Sequence, residues 1–332
     1  MTSTDTPATT RSGVSGPPVR RRRKKFSFDR VSFFVVFLGI PVVGYLIFVI
    51  WPFLQAFYYS LTDWSGFSPD MNFIGLKNYV NLFQDSIFLK AVGNSVTLLI
   101  VLPFVTLVIA MAFASIIVLG GPSNGPIRGL KASSLYRVVS FFPYVIPAIV
   151  IAIIWSFVYD PSAGLLNGIL QSLGGNWANS FAWLGNPRTA LVSVIFVIVW
   201  GLVGFYMVLF IASIKGVPAE IYEAARIDGA GRFRTAISIT VPLIRDNIQT
   251  AYIYMGILAL DAFVYMAGLE AGGGPGNSTL VISQRLFTTA FTKGQFGYAS
   301  AMGVTLALIT LLFAAVVFAV NRLTGGTNEV SE

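Results

Sequence analysis

Six apolar runs dominate this sequence, and each is close to the roughly 20 residues a helix needs to cross the hydrocarbon core of a bilayer. They fall at Val31–Phe57, Ser95–Leu119, Val138–Val158, Ala190–Ile214, Ile248–Leu269 and Ala301–Val320. Lipid offers no hydrogen bonds to the backbone, so segments of this kind must close their own as helices. The expected fold class is an all-α membrane protein with six transmembrane helices. Prolines inside several runs are compatible with this, because neighbouring helices can satisfy the freed backbone groups. The first run is too long for a secretory signal and is not followed by a small-residue cleavage site, so it is read as a span.

Composition agrees. Hydrophobic residues make up 55% of the 332 and charged residues only 11%, where a soluble domain carries about a quarter charged. The chain has neither Cys nor His. Disulfides, Cys/His metal sites, His-dependent catalytic triads and His proton relays are therefore excluded.

Lys and Arg set the orientation. Seventeen of the 22 lie in the N-terminal tail, in the second-to-third and fourth-to-fifth connections, or after the last span. The other side holds Lys77, Lys90, Arg188, Arg285 and Lys293. Both termini are thus expected in the cytoplasm. Residues 1–30 are read as a disordered basic tail, 31–322 as the membrane domain and 323–332 as a second cytoplasmic tail. The run Arg20 to Lys25 fits an anchor on anionic lipid better than a nucleic-acid patch.

One cytoplasmic stretch is out of character. "EIYEAARIDGAGRF", Glu220 to Phe233, carries five charged residues among fourteen, between long apolar runs. Pro218 suits a helix start, and Glu220 and Glu223 suit its positive end. Ile221, Ala224, Ala225 and Asp228 share a face at helical spacing. Gly229 and Gly231 end that helix, and a second is expected from about Arg232 towards Pro242. A short helix with small side chains on one face fits a groove in another protein. A solvated connector between two spans is the plainer alternative, and the residues alone do not choose between them.

This stretch, "EAARIDGAG" with "ITVP" (Ile239 to Pro242), resembles the EAA loop of bacterial ABC-importer membrane subunits. The resemblance carries over at Glu223, Ala224, Ala225, Asp228, Gly229, Ala230, Ile239 and Pro242, within a loop spanning about 216–245. The sequence departs from the family's usual aromatic at Ala236 and its usual Trp at Phe233. "FIGLKNY" (Phe73 to Tyr79), the segment Phe141 to Asn167, "WLGNPRTAL" (Trp183 to Leu191), "GGGPGNST" (Gly272 to Thr279) and "FGYASAM" (Phe296 to Met302) are similar to the carbohydrate branch. That branch includes the larger membrane subunits of maltose and glycerol-phosphate importers.

The resemblance implies a type I ABC-importer permease fold and a list of partners. These are a second homologous permease, two cytoplasmic ATPase subunits holding ATP and magnesium, and an extracytoplasmic solute-binding protein that delivers a sugar. It implies that the EAA segment is the coupling helix seated in a cleft of the ATPase. No Gly-Lys-Ser/Thr follows a glycine-rich loop anywhere in the chain, so it carries no phosphate-binding loop of its own. "GGGPGNST" is read as a structured external turn.

Two rival readings have weaker support. An ion-gradient-driven secondary carrier usually shows ionisable groups at mid-membrane, and here only Asp261 lies well inside a run. An intramembrane hydrolase needs a nucleophile and base, or a metal site, at that depth. A sugar site should mix aromatic rings with polar partners. Asp261, Tyr206 and Tyr254 lie near the depth where the resemblance places substrate, although structural roles for all three are at least as natural.

Overall fold

The computed structural model describes residues 32–120 and 129–323. The expected basic tail 1–30 and Arg128 lie outside the described residues, as does the C-terminal tail beyond Leu323. Four helices are each long and apolar enough to cross a membrane: α1 (Ser32–Tyr59), then Ser86–Leu119, Ala190–Lys215 and Phe296–Leu323. Two further pairs qualify only when each bent pair is taken together, Ser133–Val145 with Ala148–Val158 and Arg245–Leu260 with Phe263–Leu269. The described residues therefore hold four to six spans. In chain order after α1 the helices used below are α2 (Lys77–Gln84), α3 (Ser86–Leu119), α4 (Ser133–Val145), α5 (Ala148–Val158) and α6 (Ala190–Lys215). They continue with α7 (Ala219–Ile227), α8 (Arg245–Leu260), α9 (Phe263–Leu269), α10 (Ile282–Phe287) and α11 (Phe296–Leu323).

The chain divides into two compact units, residues 1–53 and 54–332. The described part of the first is the body of α1, interrupted by π-helical turns at Val35–Gly39 and Leu46–Ile50, and none of its side chains is buried. In the second unit the core lies between α3, α5, α6, α8 and α9, around Leu98, Leu102, Ile151, Ile198, Met207, Phe210 and Met255. A smaller cluster of Leu82, Phe88, Ile282 and Met302 joins α2 and the start of α3 to α10 and α11.

The run expected as one span at Val138–Val158 is broken by 95° between α4 and α5. Pro147 is the cause. A residue before proline is driven to extended backbone, and Ile146 stands at φ −77°, ψ 131°. The two halves meet α6 near its opposite ends. Ser133 and Arg137 of α4 share a cavity with Lys215 at the end of α6, while Tyr159, just past α5, donates to Ser193 O near its start at 3.1 Å. α4 comes close because Gly204 of α6 has no side chain; a Cβ there would collide with the Ser140 carbonyl.

The run expected at Ile248–Leu269 is also broken, by 47°, at Asp261 and Ala262. Neither Pro nor Gly marks this break. Asp is a poor helix-interior residue because its carboxylate competes for nearby backbone groups, and Asp261 is exposed at the bend. α3 begins nine residues before its expected start, since Asp85 caps it by accepting from the Ile87 and Phe88 amides at 2.9 and 3.1 Å.

Candidate functional site

The EAA stretch folds as expected in outline. α7 starts after Pro218 and ends at Asp228. Gly229 takes φ +75°, the left-handed region that only glycine enters without penalty. Two backbone bonds close the helix end, from the Gly229 amide to Arg226 O at 3.0 Å and from the Ala230 amide to Ala225 O at 2.9 Å. This pairing of a 5→2 with a 6→1 bond is a Schellman cap. Gly231 is extended at φ −69°, ψ 162° and opens the next helical run. That run covers Arg232–Arg234, a π-helical Thr235–Thr240 and Val241–Leu243 before α8 begins, so the second helix continues past Pro242.

The expected docking face is divided. Tyr222 and Ala225 turn inward and are buried against the chain's own residues. Ala225 therefore does not share an exposed face with Ile221, Ala224 and Asp228, as its spacing had suggested. A one-sided helix seated on the bundle must bury one stripe, and here the bulky Tyr222 draws Ala225 with it. The outward surface consists of Glu220, Ile221, Glu223, Ala224, Asp228 and Gly229, with Ile227 86% exposed and Phe233 81% exposed. Ile227 and Phe233 thus lie bare on the same loop as the Glu220, Glu223 and Asp228 carboxylates. Ala230 is half-buried behind the cap, and Ile239 is half-buried in the run that follows.

The three substrate-pocket residues are not brought together. Tyr206 is 4% exposed in the core on α6, its ring edge-on to Phe205. Tyr254 is exposed on α8 and Asp261 is exposed at the bend just after it. Sequence reading missed Tyr144, which is exposed beside the α4–α5 break and stacks on Phe205 with ring centroids 4.6 Å apart. Its proximity to Pro147 was the available signal. A cavity of about 740 Å³ lies elsewhere, between α3, α8 and the run after Gly231. Its walls, including Phe104, Leu107, Met111, Phe210 and Ile237, are overwhelmingly apolar, which is the wrong chemistry for a hydroxyl-rich ligand.

At the opposite end of the bundle from α7, α3 grips the loop before α10. Asn94 Nδ2 donates to Asn277 O and Leu280 O, both at 2.9 Å. Ser95 Oγ accepts from the Ile282 amide at 3.1 Å. Arg285 pairs with Asp85 at 3.0 Å, and Tyr298 adds a longer contact to the same carboxylate oxygen. Gln284 donates to Glu270 O and Ala271 O. Burial raises the Asp85 carboxyl's pKa, but the Arg285 hydrogen bond, the Phe88 and Ile87 amides and the arginine's charge outweigh it and hold the carboxyl below its ordinary value. "GGGPGNST" is thus a turn pinned by side chains of α3, consistent with its reading as a structured turn.

A helical bundle with four to six candidate spans and a short helix presented outward on a glycine-capped loop is the architecture of a multi-pass membrane protein. Residues 125–325 match the family described as binding-protein-dependent transport system inner membrane component, and the chain belongs to that family, as a multi-pass component of the cell membrane. It is 62% identical to the diacetylchitobiose uptake system permease protein NgcF of Streptomyces coelicolor, over 92% of this chain and 87% of that one. It is 31% identical to the trehalose/maltose transport system permease protein MalF of Thermococcus litoralis, over 90% and 96% of the two chains. Its fold is that of a solved bacterial ABC transporter involved in import of the acidic polysaccharide alginate (TM-score 0.73, 21% identity, 90% and 98% of the chains).

Proposed function

We propose that this chain is one of two permease subunits of an ATP-driven sugar importer, that both its termini are cytoplasmic, and that α7 is the coupling helix driven by a separate ATPase. The observation that carries this is the exposed surface of Glu220, Glu223, Ile227 and Asp228 on a helix closed by Gly229, whose other stripe is fixed to the bundle by Tyr222. A push on such a helix is delivered to α6 and α8 rather than absorbed by a slack loop. ATP and magnesium belong to the ATPase, and an external binding protein supplies the cargo.

Six spans are supported by the contacts each bent pair makes near both ends of the bundle. α4 meets α6 near Lys215, and the end of α5 meets it near Ser193. α8 begins beside Gly216 at the end of α6, and α9 ends next to Glu270, which is tied to the external loop through Gln284. Residues 31–322 are then the permease domain, with the tails on either side in the cytoplasm.

The relative at 62% identity is named for diacetylchitobiose uptake, and we infer a cargo of the same kind, a short oligosaccharide of N-acetylated sugars. Tyr144 stacked on Phe205, near Tyr206 and Tyr265, offers ring faces of the sort that pack against sugar C–H surfaces. Uptake of labelled diacetylchitobiose by cells carrying or lacking this subunit tests the reading. Loss of that uptake with maltose uptake intact is the expected result; unchanged diacetylchitobiose uptake would contradict the cargo assignment.

A further inference from the structure

Beneath α7 lies a second cavity, of about 360 Å³, that the transport reading does not use. Its rim carries Arg137 from α4 and Lys215 from the last turn of α6, and among the described residues no acidic one lines it. The nearest acidic group along the chain, Glu220, is exposed on the following residue of α7. Ser133 and Ala219, also on the wall, are the first residues of α4 and α7. Neither helix start has a side-chain cap: Ala132 precedes one and Pro218 the other. The Ser133, Leu135 and Ile221 amides are taken by the Leu130, Ala132 and Pro218 carbonyls; the positive ends of the two helices still favour an anion.

Two further observations point to a ligand. Tyr222 lines the cavity with its hydroxyl buried and held by no hydrogen bond of full geometry, only by a weaker contact with Thr240. Thr240, its polar neighbour, gives its own hydroxyl hydrogen to Thr235 O at 3.1 Å. Among the described residues Arg137 donates from Nε to Ser133 O at 3.1 Å. Two cations from separate elements, two helix starts and a buried phenol therefore line one space. A single halide would leave most of those donors unused, whereas a tetrahedral oxyanion can accept from all of them.

We propose that this cavity binds a phosphate group, held between Arg137 and Lys215 against the starts of α4 and α7. The phosphate can come from the headgroup of an anionic phospholipid or from a soluble phosphorylated molecule; the recognition chemistry is shared. Because the site joins α4, α6 and α7, its occupant would stiffen the junction between the span and α7.

The test uses the full-length chain in nanodiscs, in two arms. In phosphatidylcholine discs, inorganic phosphate is titrated against thermal unfolding, with chloride at matched ionic strength as the control. In phosphatidylglycerol-containing discs, lipid retained on the protein is measured by native mass spectrometry. The variants are Arg137→Gln with Lys215→Gln, the milder Lys215→Gln alone, and Lys131→Gln as an exposed cation outside the cavity. A soluble ligand predicts that phosphate raises the unfolding temperature of wild type and Lys131→Gln. Apparent binding should then be weaker by about tenfold or more in the double variant, from the loss of two charge-assisted contacts, and weaker to a lesser degree in Lys215→Gln. A lipid ligand predicts no effect of inorganic phosphate, but phosphatidylglycerol retained by wild type and Lys131→Gln and lost from the double variant. If neither probe separates wild type from Lys215→Gln or from the double variant, the site does not exist.

Discussion

Arg285 donates to Asp85 at 3.0 Å across 200 positions of sequence, and that bond ties the start of α3 to α10. The side chains are 13% and 18% exposed, so this pair is mostly withdrawn from water. Asp85 also caps α3.

Removing Asp85 strands a buried arginine and uncaps α3. Asp85→Ala is expected to cost about 3 kcal/mol from the broken pair and about 1 kcal/mol from the lost cap, measured as thermal unfolding in detergent. The double change Asp85→Ser with Arg285→Met keeps a cap and fills the space apolarly, and should recover to within about 1 kcal/mol of wild type. A double variant as unstable as Asp85→Ala would show that the pair does more than occupy the site.

The same pair fixes a pH dependence. The folded Asp85 pKa lies below its unfolded value, so its stabilisation is complete above the unfolded value near pH 4 and is lost as pH falls through the folded one. Wild-type stability should drop below about pH 4. Asp85→Asn should lack that component of the drop while being less stable at neutral pH.

Asp261 and Tyr206 separate by environment. Asp261 is exposed at a bend and Tyr206 is 4% exposed in the core. Asp261→Asn should leave thermal stability within about 0.5 kcal/mol of wild type; if Asp261 faces cargo, it should shift sugar preference or KM. Tyr206→Ala should instead lose about 3 kcal/mol or more by opening a cavity. Transport kinetics beside unfolding curves for both variants decide between a pocket and a packing role. Unchanged transport in Asp261→Asn would remove it from the pocket.

The topology is open to single-cysteine labelling, because the chain has no cysteine of its own. Asn81, Ser172 and Ala271 are exposed and should react with an impermeant thiol reagent from outside, and Gly231 should not. Asn78, attractive from its place in "FIGLKNY", is unsuitable because it is buried and donates to Ser60 O and Thr62 O. Labelling at 231 in intact cells would reverse the orientation.

What was legible follows the range of the forces involved. Apolar runs report burial in lipid directly, so α1, α6 and α11 lie where hydropathy puts them. Gly229 was legible as a helix stop because left-handed backbone has a residue signature. Pro147 was visible in the third run but was read as tolerable within one span, and the close approach of α4 to α6 rests on Gly204 facing the Ser140 carbonyl, a contact 64 positions away. The bend at Asp261 has neither Pro nor Gly at the break, and a lone Asp in an apolar run was read as a candidate site residue and not as a bend. The grip of Asn94 and Ser95 on residues 277–282 was invisible for the same reason: polar residues near a span's end look like its boundary until their partners, 183 to 187 positions on, are known.

The central claim is that α7 passes the force of ATP hydrolysis into the bundle. It is tested most directly by ATPase activity of the reconstituted importer, with both permeases, the ATPase and loaded binding protein, comparing Glu223→Lys, Gly229→Leu and Gly229→Asn. A side chain at Gly229 meets open space within the chain, so the intrinsic cost is backbone strain of about 1 kcal/mol, less for Asn, which tolerates φ above zero. All three should insert and pair normally. Glu223→Lys and Gly229→Leu should lose stimulation by the loaded binding protein and lose uptake with it, while Gly229→Asn keeps a substantial part of both. Wild-type stimulation and uptake in Glu223→Lys and Gly229→Leu would contradict the account and leave α7 an ordinary connector.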